Sequence, residues 1–347
     1  MIAAVERAMR EGHNGYGPSP GIAPAREAIA AEYTGRGWPV SPDRVLVTAG
    51  TSEAIDLALS ALLDEHGEVL VPMPTYPLYT AVVAKLGARA VFYRTDPSHA
   101  WLPDLEHLSR VVTPSTRAVV VIDPNNPTGA TYPVSTRKAL ISFAEKHGLA
   151  ILADEVYGDI AYDGPVAPLG SLDADAPVIS LSSLSKGYVA PGWRTGWLAV
   201  GRSPRMDDVV AALKKLADGR LCSTVPMQHA IPAALTGDRS HQAAFRAALR
   251  ERAEVTTQAL RSMPGVSLVA PTAAFYAMPK VELPAGKTDE DYVLGLLRAT
   301  GILCVHGSGF GTSQADGYLR IVFLASPKEL RDIFAQMSVF TTQYLQR

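Results

Sequence analysis

The sequence predicts an α/β protein with a mostly parallel central sheet in a three-layer large domain, followed by a smaller α+β C-terminal domain. Three observations predict it. Short, wholly apolar runs alternate with segments of helical period, and strands apolar on both faces belong in a sheet covered on both sides. Glycines follow several helical segments, at Gly67, Gly87 and Gly148, where a left-handed residue closes a helix. Near residue 240 the alternation stops and a long helix rich in Arg and Ala begins.

The elements follow in order. "RVLVTAG" (44–50) reads as a buried strand and "SEAIDLALSALLDEHG" as the helix after it. "EVLVPM" is the next strand, and "PLYTAVVAKLG" the next helix. "ARAVFYR" and "TRAVVVIDP" are strands, "PVSTRKALISFAEKHG" a helix, and "LAILADE", "PVISLS" and "GWLAVG" further strands. The long helix spans about 239–263 and joins a large domain, 1–240, to a small one, 241–347. In the small domain "GVSLVA", "AFYAMPKVE", "ILCVHG" and "YLRIVFL" read as strands, with helices near 288–299 and 327–345.

Composition narrows the function. A net charge of −2, with no basic block or tail, argues against a nucleic-acid partner. No apolar run is long enough to span a bilayer, and "MIAAVERAMREGH" lacks the apolar core of a secretory signal. Two cysteines, Cys222 and Cys304, make no disulfide framework, so a cytoplasmic location is expected. The eight histidines show no metal-ligand spacing, so no metal is expected, and neither GxGxxG nor a Walker motif is present.

In an open parallel sheet, ligands sit beyond the carboxyl ends of the strands. There the first strand delivers "GTSEA" (Gly50, Thr51, Ser52), a helix start suited to a phosphate. Later strands deliver "NNPTG" with Asn126, "DEVY" with Asp154 and Tyr157, and "SSLSK" with Ser183 and Lys186. Lys186 stands apart. The other eight lysines lie in helical patterns, at helix ends or in polar turns, whereas Lys186 follows a buried strand among small residues. A lysine amine in such a setting is suited to condensing with a carbonyl. An amine, an acid for a ring nitrogen and a helix start for a phosphate together describe a site for pyridoxal phosphate. On that reading Asp154 keeps the pyridine nitrogen protonated, and Asn126 and Tyr157 reach the ring oxygen. Thr51 and Ser52 hold the phosphate, with Ser183 and Arg194 closing around it.

Each piece alone has a plainer explanation. "NNPTG" makes an ordinary turn, "GTSEA" an ordinary helix cap, and an Asp at a strand end commonly caps the next element. The joint occurrence, in this order, argues for the site.

These stretches resemble the class I aminotransferases, the fold type I pyridoxal-phosphate enzymes. The resemblance runs from "GYGPSPG" to "YLRIVFL" and is carried by "NNPTG", "ADEVY" and "SLSSLSKGYVAPGWRTGW". It implies that Lys186 carries the cofactor covalently and that Lys186, Asp154 and Tyr157 are catalytic. It implies Gly50, Thr51, Ser52, Ser183 and Arg194 at the phosphate, and Tyr76, in "PTYPLY", stacked on the ring. Tyr76 alone would also read as a core tyrosine. The resemblance further implies a homodimer whose Tyr16 reaches the neighbouring subunit's phosphate site. Arg320 in "YLRIVFL" is implied to fork the substrate α-carboxylate beside Asn126, although a structural ion pair would also explain a buried Arg. Arg220 is either a contact for a distal carboxylate or a favourable cation at a helix end.

Within the family, "EGHNGYG", "RLCSTVPMQHAI" and "VHGSGFG" are similar to prokaryotic alanine (glutamate–pyruvate) aminotransferases. The expected reaction moves an amino group from a small amino acid, alanine first, to 2-oxoglutarate. An aspartate or aromatic aminotransferase, a β-lyase or decarboxylase on the same cofactor, and a non-catalytic effector-binding relative are the alternatives. Two departures stand out. Relatives carry an N-terminal arm ahead of the first large-domain helix, inside which Met1 falls, so that arm is expected to be missing from this sequence. Ala274 stands where relatives often have Gly, and its methyl is expected to narrow the pocket or shift the strand.

Overall fold

The structure is a computed structural model and describes residues 1–346. Its centre is an eight-stranded sheet of order β1-β8-β7-β6-β5-β2-β3-β4. The strands are β1 (Val45–Thr48), β2 (Glu68–Met73), β3 (Arg89–Asp96), β4 (Leu102–Pro103), β5 (Thr116–Ile122), β6 (Ala150–Asp154), β7 (Val178–Ser183) and β8 (Gly196–Val200). Pairings among β2, β3, β5, β6 and β7 are parallel. β8 runs antiparallel between β1 and β7, and β4 is antiparallel to β3.

Two helical layers cover the sheet, and the alternation along each strand decides which residue meets which layer. Val119 and Val121 of β5 face one core, with helices α2 (Ala23–Gly35), α5 (Leu105–Val111), α6 (Val134–His147) and α9 (Ala230–Thr236). Val120 and Ile122 face the other, with α3 (Thr51–Leu62), α4 (Pro77–Lys85) and α7 (Asp207–Gly219). Helix α1 (Ile2–Arg10) and the short α8 (Val225–Gln228) complete this part. Both faces are buried, which is why these strands read as unbroken apolar runs.

After α10 (Ser240–Arg261) comes a separate apolar cluster with α11 (Asp289–Thr300) and α12 (Pro327–Leu345). The strands here are β9 (Val266–Ser267), β10 (Tyr276–Ala277), β11 (Lys280–Val281), β12 (Val305–His306) and β13 (Leu319–Val322). β13 lies between β10 and β12, and β11 pairs with β9. Helices α11 and α12 each begin with a capping box, Thr288 with Asp291 and Ser326 with Glu329.

The expected elements are present, with three corrections. Gly67 does not close a helix. Helix α3 stops at Leu62 because the Asp64 carboxylate accepts from His66 N–H and its carbonyl from Gly67 N–H, forming a turn. Gly148 does cap α6, at φ 70°. "AFYAMPKVE" is two short strands in different sheets, β10 and β11, separated at Pro279, whose ring has no N–H to donate. "ILCVHG" contributes only Val305–His306, as the partner of Arg320 and Leu319.

Candidate active site

Strand register assembles the site at one rim of the sheet. Ile122, Asp154 and Leu181 lie in one row at the ends of β5, β6 and β7. Thr48 of β1 and Ser183 of β7 both pair with Gly196, the first residue of β8. Because β8 runs opposite to its neighbours, its start, and Arg194 just before it, reach the rim where the other strands end. Two glycines permit the close approach there. A Cβ on Gly196 would lie 2.7 Å from the Gly50 carbonyl carbon, and one on Gly50, at φ 83°, would lie 2.4 Å from the Arg194 guanidinium.

The rim encloses a cavity of about 290 Å³ lined by Thr51, Ser52, Tyr76, Asn126, Asp154, Tyr157, Ser183, Lys186, Arg194 and Arg320. Every sequence-expected site residue of this chain is therefore brought together, with Gly50 directly behind as the residue preceding α3. Tyr16 is not part of this wall; it is 87% exposed on the surface. Five residues not expected from sequence also line the cavity: Ile55, Val156, Ser185, Pro191 and Tyr276.

The charges are unbalanced. Burial, with repulsion from Arg194 and Arg320, holds the Lys186 amine below its ordinary pKa, and Asp154 opposes the shift. The Lys186 Nζ lies 5.8 Å from the Tyr157 ring centre and 5.6 Å from that of Phe275. Burial raises Asp154 to about 6, opposed by hydrogen bonds from the Tyr79 hydroxyl and Val156 N–H. Arg194 donates to the carbonyls of Pro191 and Ala49. Arg320 donates to Asn126 Oδ1 at 3.2 Å, while its buried Nε has no acceptor. No carboxylate forms an ion pair with Lys186, Arg194 or Arg320 among the described residues. A structural ion pair therefore does not explain Arg320. The buried Thr51 hydroxyl, at the start of α3, also lacks a partner.

Arg220 is accounted for within the fold. Its Nε lies 3.0 Å from Glu53 Oε1, and its Nη2 donates to the Val47 carbonyl at 2.7 Å. The other Glu53 oxygen accepts from Ala49 N–H, so this pair braces the turn before α3 rather than facing a ligand. Ala274 is buried at φ 58°, in the left-handed region, with its carbonyl held by the Tyr162 hydroxyl. Its methyl is absent from the cavity wall, so it does not narrow the pocket.

The structure is a mostly parallel sheet with an amine, two arginines and a buried acid gathered at one rim. The chain belongs to the class I and II aminotransferase family, whose profile matches residues 1–336, and it is an aminotransferase. It is similar to the glutamate–pyruvate aminotransferase AlaA of Haemophilus influenzae, 37% identical over 96% of this chain and 84% of that protein. An alanine aminotransferase of Mycobacterium bovis is also 37% identical, over 96% of this chain and 79% of its own length. Among solved structures, an alanine aminotransferase from Pyrococcus furiosus superposes with a TM-score of 0.95 at 37% identity. That match covers 99% of this chain and 87% of the other. No helix among the described residues is long and apolar enough to cross a membrane.

Proposed function

We propose that this aminotransferase uses pyridoxal phosphate and moves an amino group between L-alanine and 2-oxoglutarate. One observation carries the cofactor reading: Lys186, Arg194 and Arg320 line one cavity without carboxylate partners among the described residues. Three cations gathered at one cavity suit anions, and a phosphate plus a substrate carboxylate would supply them. The orphaned Thr51 hydroxyl and the start of α3 beside Arg194 fit the phosphate. The size and chemistry of the cavity fit the group.

The cofactor, when bound, supplies an electron sink for the bond broken at the substrate Cα. The residues do the rest. Gly50, Thr51, Ser52, Ser183 and Arg194 would hold the phosphate, and Tyr76 the ring face. Asp154 would hold a proton on the ring nitrogen. Asn126 and Tyr157 would donate to the ring oxygen. Lys186 would hold the cofactor, and its amine would move a proton at the substrate Cα. Burial and the nearby arginines lower its amine pKa, which favours the neutral form that such a task needs. Arg320 forks the α-carboxylate and fixes the orientation of the Cα–H bond.

Alanine is favoured by the similarity to the named alanine aminotransferases. Beyond Arg194 and Arg320, no arginine borders the cavity among the described residues. We further propose two domains, 1–240 and 241–347, joined by α10; the separate apolar cluster after residue 253 supports this. A homodimer in which Tyr16 completes the neighbour's site would explain a large exposed phenol in a Gly- and Pro-rich loop. The free thiols of Cys222 and Cys304 suit the cytoplasm.

The test is incubation of purified protein with L-alanine and 2-oxoglutarate. Pyruvate and glutamate should form together, with parallel lines in double-reciprocal plots. A cofactor-loaded protein inactive with alanine, aspartate, glutamate and aromatic donors contradicts the reading.

A further inference from the structure

We propose that Tyr276 is a positioning residue that joins the phenol of Tyr157 to the guanidinium of Arg320. One side chain then sets both the group at the cofactor's ring oxygen and the group at the substrate carboxylate. This inference rests on the roles of Tyr157 and Arg320 in the function proposed above.

The geometry is specific. Tyr276 opens β10 and pairs with Val322 of β13, two residues beyond Arg320. Its ring lies 4.8 Å from the Arg320 guanidinium carbon, and the Phe310 ring lies 4.6 Å away. A planar cation against two aromatic rings loses rotational freedom and keeps its N–H edge free for a carboxylate. At its other end, the Tyr276 hydroxyl lies 2.9 Å from that of Tyr157. Both residues are buried, and each hydroxyl has the other as its hydrogen-bond partner among the described residues.

Either hydroxyl can donate in that bond, so a group at the cavity that accepts from Tyr157 selects the order. When the Tyr157 hydroxyl donates towards the ring oxygen, its own oxygen is left as an acceptor. Tyr276 is the donor within reach, so the chain runs from Tyr276 through Tyr157 outwards. A hydroxyl that accepts a hydrogen bond becomes a stronger donor. The charged and titratable groups facing Tyr276 are Tyr157, Arg320, Tyr76 and Asp154. The backbone is also constrained: Ala274, two residues earlier, donates its N–H to Ile160 and accepts from Tyr162. Tyr276 and Arg320 come from the C-terminal strands, whereas Tyr157 and Asn126 come from the rim of the large sheet. The Tyr276–Tyr157 and Arg320–Asn126 bonds thus tie the two parts together across the site.

The test uses the cofactor-loaded enzyme and separates hydroxyl from ring. The bound cofactor's absorbance is titrated against pH, which reads the proton shared by its ring oxygen and the Lys186 nitrogen. Donation to the ring oxygen stabilises its anion and lowers the midpoint. Tyr276→Phe should raise the midpoint by roughly half a unit to one unit, the size of one hydrogen bond. Its KM for L-alanine should change little, because the ring under Arg320 remains. Tyr276→Leu should in addition raise that KM by roughly threefold to thirtyfold. In a Tyr157→Phe background, Tyr276→Phe should move the midpoint no further. An unmoved midpoint in Tyr276→Phe, an undiminished shift in the Tyr157→Phe background, or equal KM values for the Phe and Leu variants overturns the proposal. Absence of cofactor absorbance in the wild type overturns the cofactor reading as well, which keeps the two failures distinct.

Discussion

The Tyr79 hydroxyl donates to Asp154 Oδ2 across 3.0 Å, inside a region where both side chains are buried. Burial raises Asp154 from 3.8 to about 6, and the Tyr79 bond opposes the rise. A carboxyl whose folded pKa lies above its unfolded value binds more protons when folded. Its contribution is therefore full below about pH 4 and is lost as pH rises through about 6. Cofactor-free wild type should lose about 2 kcal/mol relative to Asp154→Asn between pH 4 and 7, read as the difference in unfolding free energy. The same variant, loaded with cofactor, should lose several orders of magnitude in kcat, since a neutral amide cannot hold the ring proton. A pH-independent stability difference, or activity within tenfold of wild type, contradicts the role.

Arg320 carries an unused Nε and a single bond to Asn126, so its fork is free for a planar anion. Arg320→Lys keeps the charge and removes the fork. We expect kcat/KM for L-alanine to fall by roughly tenfold to a hundredfold. The half-reaction with an amine lacking a carboxylate should change little. Equal losses with both amines would show that Arg320 acts on folding or on the cofactor instead.

Ala274 occupies a left-handed conformation that strains a residue with a Cβ. Ala274→Gly should stabilise the protein by roughly 1 kcal/mol and raise Tm by about 2 °C. A lower Tm would show that the methyl's packing outweighs the backbone strain.

Tyr16, 87% exposed and outside the cavity wall, has a role only if a neighbouring subunit uses it. Tyr16→Ala and Lys186→Ala should each be inactive or nearly so. Mixed and allowed to exchange subunits, they should regain activity, because one site in the heterodimer keeps both residues. No recovery despite demonstrated exchange contradicts a shared site.

Lys186, Asp154 and Arg194 were legible in the sequence because each is a charged residue in a run that otherwise favours burial. Such a residue needs a counter-charge, a cap or a ligand; each alone has a plainer explanation, and their joint occurrence at strand ends nominated the site. Tyr276 was not legible, because a tyrosine in a short apolar strand looks like core until its hydroxyl partner is known. That partner, Tyr157, is brought to it only by tertiary packing. Tyr79 was missed for the same reason: it follows Tyr76 by one helical turn, and its acceptor sits on a different element. The pairing of Arg220 with Glu53 likewise joins distant segments, so both readings of Arg220 stayed open until the fold was known. The antiparallel run of β8 brings Arg194 back to the rim, and strand patterns alone do not encode that direction.

The claim on which the rest depends is that Lys186 holds the cofactor. Reduction of the loaded protein with borohydride, followed by proteolysis and mass mapping of the modified peptide, tests it most directly. The account predicts a phosphopyridoxyl group on Lys186, within the peptide containing Ser183, and none on Lys186→Ala. A label on any other of the protein's lysines, or none on a protein whose absorbance shows bound cofactor, would contradict it.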